Sequence, residues 1–262
     1  MARRLLALGQ QGATETVEHL METDLLQLEK VGYQLIDNFL TADECKSLLA
    51  TINEFREGHS LPEIHRPAKG RSLRYHVING EQIQGSLPGI WEIYTGEVNE
   101  LVNKSLGFPL EPLVNTRAGV NVNLMRPNQS SYRWHYDRAC VTSIIYLNEV
   151  EGGETEFYPN YRLLLEKGKN TSIQRALDSF IQIKPIRNVF GNMVRISPKV
   201  GRLVMMRADR CWHSVRSVLG ERERINIILS YDLPGTEFSM EEGLDSYLYT
   251  QDKQQSSDPN YG

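Results

Sequence analysis

Cys140-Val-Thr-Ser-Ile-Ile-Tyr-Leu147 is a short run of β-branched and apolar residues, and it reads as a strand. Three other stretches have the same texture: Gly119-Val-Asn-Val-Asn-Leu124, Arg202-Leu-Val-Met-Met206 and Ile225-Asn-Ile-Ile-Leu-Ser-Tyr231. Turn-forming residues separate them, so the second half of the chain is predicted to be a β-sandwich or barrel. Residues 159–199 interrupt this pattern, with a helix predicted near 171–180. A long excursion from a β core is more often a lid or substrate loop than a linker.

The first half has a different period. In residues 14–30, Val17, Leu20, Met21, Leu25 and Leu28 recur near the helical spacing and predict an amphipathic helix. Residues 33–36 form a short β-prone run. Thr41-Ala-Asp-Glu44 has the spacing at which a threonine hydroxyl and a glutamate satisfy each other's helix-start amides, so a helix over 42–55 should follow. Residues 56–89 show no steady period and are assigned to loops with one strand near 75–78; residues 90–106 read as helical. No internal repeat is evident, and residues 251–262 form a polar tail. The expectation is one domain over 1–262, with a helical and loop support region at 1–112 and a β core at 113–235.

Composition narrows the function. The chain has 262 residues and a formal net charge of −4, with basic residues scattered rather than clustered, so DNA or RNA is not an expected partner. Cys45, Cys140 and Cys211 are odd in number and far apart, which argues against a disulfide framework and for a reducing compartment. The start has no secretory apolar region, and no stretch is long enough to span a bilayer, so the expected location is the cytoplasm.

His135-Tyr-Asp137 places two metal-binding side chains at i and i+2, where an extended segment points both the same way. His213, which follows the strand at 202–206, supplies a third. Two imidazoles and one carboxylate on one face of an ion leave three positions open, an arrangement suited to oxygen-activating iron(II). Taken alone, the tripeptide is equally an ion pair or a polar strand end. A second feature lies downstream: Arg224 opens an apolar strand and shares a face with Asn226, Ile228 and Ser230, so its guanidinium could clamp a carboxylate. Arg222 competes by parity, but Arg224 adjoins the apolar run and would be better shielded from water.

These residues carry a resemblance to the iron(II)/2-oxoglutarate oxygenases, particularly their prolyl 4-hydroxylase-like branch. It spans roughly residues 119–232, through His135-Tyr-Asp137, Val141-Thr-Ser-Ile-Ile-Tyr-Leu-Asn148, Gly152-Gly-Glu-Thr155, His213 and the arginine strand, with an echo in Ile36-Asp-Asn-Phe-Leu-Thr-Ala-Asp-Glu-Cys45. The resemblance implies a mainly β fold with supporting helices, the double-stranded β-helix or jelly roll of cupin-like proteins. It also implies iron(II) on His135, Asp137 and His213, with 2-oxoglutarate and O2 as co-substrates and succinate and CO2 as products. Arg224 and Asn226 would lie at the 2-oxoglutarate site, with Tyr146 reaching the distal carboxylate. Asn123 would replace a tyrosine found in several relatives. Because Asp137 keeps the carboxylate that related halogenases lack, hydroxylation is expected, with desaturation, epoxidation or cyclisation as alternatives.

Substrate contacts are weakly marked. Arg117, Trp134 and Arg138, with Tyr158 and Tyr161 at the start of the excursion, are candidates for a small-molecule, amino-acid or peptide substrate. Two other classes compete: a zinc or manganese hydrolase or isomerase built on the same ligands, and a non-catalytic jelly-roll binding module.

Overall fold

The computed structural model describes residues 26–66, 72–127, 130–165 and 171–236. Its strands, in chain order, are β1 Tyr33–Ile36, β2 Glu63–Arg66, β3 Leu73–Ile78, β4 Glu111–Pro112, β5 Val120–Met125, β6 Tyr132–His135, β7 Val141–Tyr146, β8 Thr155–Tyr158, β9 Val194–Ile196, β10 Leu203–Met206, β11 Trp212–Val215 and β12 Arg224–Asp232. A large sheet runs β1-β10-β7-β12-β5-β3-β2, with β4 on the end of β12. A small one runs β6-β11-β8-β9. Neighbours far apart in sequence, β7 with β12 and β12 with β5, are antiparallel, the crossover pattern of a jelly roll.

Strand alternation divides the large sheet into two faces with different tasks. Ile225, Ile227 and Leu229 of β12, Val120 and Val122 of β5, and Ile145 of β7 face the helices. There they share a core with Ile52 of helix Ala42–Gly58, Ile90 of helix Pro88–Thr95 and Val98 of helix Glu97–Leu106. The helices therefore buttress the outer face of the large sheet. The inner face turns Ile144, Tyr146, Val204 and Met206 toward Phe157 and Ile196 of the small sheet.

Local chemistry explains the helix starts. Both halves of the Thr41–Glu44 capping box form: the Thr41 hydroxyl accepts from the Glu44 amide, and the Glu44 carboxylate accepts from the Thr41 amide at 2.9 Å. The helix that follows runs through Gly58, three residues beyond the expected end. The helix predicted over 14–30 is helical where it is described, at Gln27–Val31; residues 14–25 lie outside the described residues, as does the polar tail at 251–262.

Three regions differ from the sequence expectation. Residues 56–89 hold a β2–β3 pairing and the helix Gly80–Ser86, itself capped by an Asn79–Gln82 box. The helix expected over 90–106 is two helices, Pro88–Thr95 and Glu97–Leu106, separated at Gly96. The excursion at 159–199 contains the expected helix, Ser172–Ile181, and a second, Lys184–Phe190. Its last part returns to the barrel as β9, which pairs with β8.

Candidate metal centre

His135 ends β6 and His213 lies in β11; the two strands are antiparallel neighbours with these histidines in register. That pairing sets the ring centroids 4.1 Å apart. Asp137, just past β6, completes the group: its Oδ1 is 3.3 Å from His135 Nε2 and 3.5 Å from His213 Nε2. One ligand atom from each residue lies within 4.8 Å of the others. Each Nδ1 is 2.8 Å from a backbone carbonyl, of Arg133 for His135 and of Cys211 for His213. Nδ1–H therefore donates to the backbone, and the Nε2 lone pairs point toward Asp137 Oδ1.

The other carboxylate oxygen is also held, because Thr142 Oγ1 of β7 donates to Asp137 Oδ2 at 2.6 Å. The Asp137 amide donates to the Ala208 carbonyl at 3.1 Å, fixing the backbone that carries the carboxylate. Sequence reasoning missed Thr142, whose hydroxyl is indistinguishable there from an ordinary strand threonine.

Burial opposes charge at all three groups, and their neighbours decide the outcome. It pushes the Asp137 carboxyl up, but His213 and His135 together hold it well below the usual carboxylate range. Burial and then His213 push the His135 imidazole down. Burial also acts to lower His213, yet Asp137 outweighs it and raises that imidazole above its ordinary value. Of the two imidazoles, His213 is therefore the one whose protonated form the site favours.

Arg224 marks the other end of the inner face. It is 2% exposed at the start of β12, whereas Arg222 is exposed to solvent. Among the described residues no carboxylate pairs with Arg224. Its Nη1 donates to Asn226 Oδ1 at 2.5 Å, its Nη2 to Thr155 Oγ1 at 3.3 Å, and its guanidinium lies 5.1 Å from the Tyr146 ring centroid. Thr155 Oγ1 also shares a 2.6 Å hydrogen bond with the Tyr146 hydroxyl.

Backbone register brings the remaining candidates to the same wall: Asn226 pairs with Asn123 on β5 and with Tyr146 on β7. Arg224 Nε, Asn226 Nδ2 and Asn123 Oδ1 are all buried and lack a hydrogen-bond partner. A buried cation and orphaned amide groups side by side on the inner face of the sheet need a partner to satisfy them. Gly153 leaves room for the cation, since its φ is +65° and an added Cβ would come within 2.9 Å of Arg224 Cδ.

The two ends are four residues apart on β7, from Thr142 to Tyr146, or roughly 13 Å of strand. A molecule joining them needs a metal-chelating head and an anionic tail. The donor set suits a divalent first-row metal with open positions.

The substrate candidates lie in three different places. Trp134 neighbours His135 and so points to the opposite face of the small sheet, where it packs 4.6 Å from Trp212 and 5.5 Å from Tyr158. Tyr161 joins this cluster 5.3 Å from Tyr158, and its hydroxyl donates to the Ile181 carbonyl. Arg187 covers Trp212 at 5.2 Å, so the insert helices lie over this outer aromatic layer. Arg117 is engaged by Glu81 at 2.8 Å on the helical side. Arg138 directly follows Asp137, half-buried.

Comparison with known proteins agrees with this geometry. Residues 120–231 match the family described as the 2OG-Fe(II) oxygenase superfamily. No curated protein matches the chain in a sequence search. Among solved structures, the fold is similar to the non-heme alpha-ketoglutarate-dependent carbocyclase SnoK of nogalamycin biosynthesis (TM-score 0.60, 16% identity, covering 78% of this chain and 81% of that one). It is also similar to the epimerase SnoN of the same biosynthesis (0.59, 18%, 85% and 89%). A third is a Trichoplax adhaerens prolyl hydroxylase in complex with a hypoxia inducible factor peptide fragment (0.55, 17%, 86% and 94%).

Proposed function

We propose that the chain is one catalytic domain, an iron(II)- and 2-oxoglutarate-dependent oxygenase that hydroxylates a C–H bond of a small-molecule, amino-acid or peptide substrate. The observation that carries this reading is the buried Arg224, which has no carboxylate partner among the described residues and shares the barrel interior with the His135–Asp137–His213 group. A hydrolase or isomerase built on the three ligands leaves that cation without a task, and a binding module leaves the triad without one.

His135 Nε2, His213 Nε2 and Asp137 Oδ1 would hold the metal, with Thr142 restraining the second carboxylate oxygen. Iron(II) bound there, with 2-oxoglutarate and dioxygen, would supply the oxidising chemistry and release succinate and CO2. Arg224 would take the distal carboxylate of 2-oxoglutarate, a charge-assisted contact strengthened by exclusion of water. Tyr146 and Asn226 would orient that guanidinium, and Asn123 would offer its buried amide to the same ligand. The retained Asp137 favours hydroxyl transfer over halogenation.

A second outcome of the same cofactor chemistry, cyclisation or epimerisation in a biosynthetic pathway, draws support from the similarity in fold to the carbocyclase SnoK and the epimerase SnoN. Succinate release measured with iron(II) and 2-oxoglutarate, across a panel of amino acids, peptides and small metabolites, tests the reading. Product mass separates the outcomes: a gain of one oxygen for hydroxylation, none for epimerisation. Absence of succinate under every condition would refute it. Three buried free cysteines keep the cytoplasm as the proposed location, and among the described residues no helix is long and apolar enough to cross a membrane.

A further inference from the structure

Arg162 stands at the start of the insert, where it meets both segments that carry the candidate ligands. Its guanidinium lies 4.5 Å from the ring centroid of Tyr136, the residue between His135 and Asp137. Tyr136 is buried and packs with Tyr158 and Trp212 in the outer aromatic layer, so this contact is made behind the ligands, on the side away from the triad. Arg162 also holds the turn that leads into His213. Its backbone amide donates to the Arg210 carbonyl at 2.9 Å, and its Nη1 donates to the Asp209 carbonyl at 3.4 Å. The same turn fixes two of the ligands: the Ala208 carbonyl accepts from the Asp137 amide, and the Cys211 carbonyl accepts from His213 Nδ1.

The orientation of Arg162 is set by the insert helix Ser172–Ile181. Asp178 of that helix accepts from Arg162 Nε at 3.0 Å and from Nη2 at 2.7 Å, and the two side chains are only 10% and 11% exposed. Gln174, one turn earlier, is buried and donates to Asp178 Oδ1 at 2.9 Å and to the Leu163 carbonyl at 3.0 Å. Its own carbonyl accepts from the Leu165 amide at 2.9 Å. A forked ion pair with hydrogen-bonded neighbours, shielded from water, is a joint of fixed geometry and not a loose surface pair. This joint grips the residue between two of the ligands and the turn before the third.

We propose that Arg162 is a positioning residue for the metal centre: held by Asp178, it fixes residues 135–137 against the 207–213 turn, and so makes the affinity of the triad for a divalent metal depend on the seating of helix Ser172–Ile181. The inference rests on the metal-centre reading above. Coupling of this kind is reciprocal, so metal bound at the triad in turn holds the helix in place.

Manganese(II) is the probe, with the full chain throughout. In the unmodified protein it should slow hydrogen exchange of residues 172–181 several-fold, because a surface helix exchanges by local opening. The variant Arg162→Met/Asp178→Leu removes the pair without leaving a lone buried charge, a change that folded proteins often tolerate. It should bind manganese(II) about 10-fold more weakly and lose the metal-dependent protection of 172–181. Exchange of residues 141–146 should stay at the rate of the unmodified protein, which reports that the barrel is folded. The electron paramagnetic resonance spectrum of bound manganese(II) should change as well, since it follows ligand geometry; a merely structural tether would shift the melting temperature and leave that spectrum alone. Unchanged affinity and spectrum in the variant would overturn the inference, as would exchange at 172–181 that is indifferent to metal in the unmodified protein. His213→Ala separates the two levels. Undiminished manganese(II) binding there refutes the metal centre and the inference with it, whereas loss there with full binding in the Arg162 variant removes the positioning role alone.

Discussion

Thr142 Oγ1 lies 2.6 Å from Asp137 Oδ2, on the side of the carboxylate away from the two imidazoles. The hydroxyl makes the carboxylate asymmetric, leaving Oδ1 as the atom nearest both Nε2 atoms. Replacing Thr142 with Val removes the donor and preserves the shape. Metal affinity, followed by titration with iron(II) or manganese(II), should weaken by about 10-fold to 100-fold. Thr142→Ser should restore most of it. Equal affinity in the Val variant would show that the hydrogen bond does not position the ligand.

Arg224 should separate binding from stability. A buried guanidinium without a counter-ion is costly to desolvate, so an apolar side chain of similar length in its place is expected to be neutral or stabilising. Arg224→Met should therefore keep or raise the melting temperature of the ligand-free protein while abolishing binding of 2-oxoglutarate. In the unmodified protein, ligand at a hundred times its dissociation constant should stabilise by about 2.7 kcal/mol. The variant should show no such shift. A variant that unfolds, or one still stabilised by the keto-acid, would contradict the assignment.

Metal binding should depend on pH through His213. Its imidazole is raised above its ordinary value because Asp137 outweighs the opposing effect of burial, whereas His135 is lowered. A raised pKa means that His213 stabilises the metal-free fold when protonated, in full below the unfolded pKa of about 6.5. That contribution is lost as pH rises through the higher folded value. A metal requires the neutral ring, so binding below the raised folded value should release protons and tighten as pH rises through this window. Calorimetric titration in buffers of different ionisation heat counts the proton; a buffer-independent heat would argue against a protonated His213.

The helical support should matter to stability and not to chemistry. Thr41→Ala removes the cap of helix Ala42–Gly58 and should cost about 1 kcal/mol by denaturant unfolding. Metal affinity should be unchanged. A large loss of metal binding would mean that the helix layer controls the barrel interior.

The strands legible in the sequence were those with long apolar runs. β7 and β12 are buried on both faces, one against the helices and one against the small sheet, so almost every residue had to be β-prone. β6, β8 and β9 are three or four residues long, and β8 lies directly beyond the glycines that shape its approach, so their pairing partners define them. Two signals were readable and missed. The Asn79–Gln82 spacing marks a helix start by the same logic as Thr41–Glu44. Strand parity sends Trp134 to the face opposite His135, which removes it from the metal side. The His135–Asp137–His213 group and Arg224 were legible because they sit at fixed offsets on strands or directly beyond one. Thr142 and Thr155 were not, since only the fold reveals which hydroxyl meets a carboxylate or a guanidinium.

The proposed function requires one barrel interior to take a metal at His135, Asp137 and His213 and a keto-acid at Arg224. Anaerobic absorption spectroscopy addresses it most directly. Iron(II) and 2-oxoglutarate added together should produce a weak visible charge-transfer band that neither gives alone, and the band should vanish in His213→Ala and in Arg224→Met. No band from the unmodified protein, or an undiminished band in His213→Ala, would contradict the account.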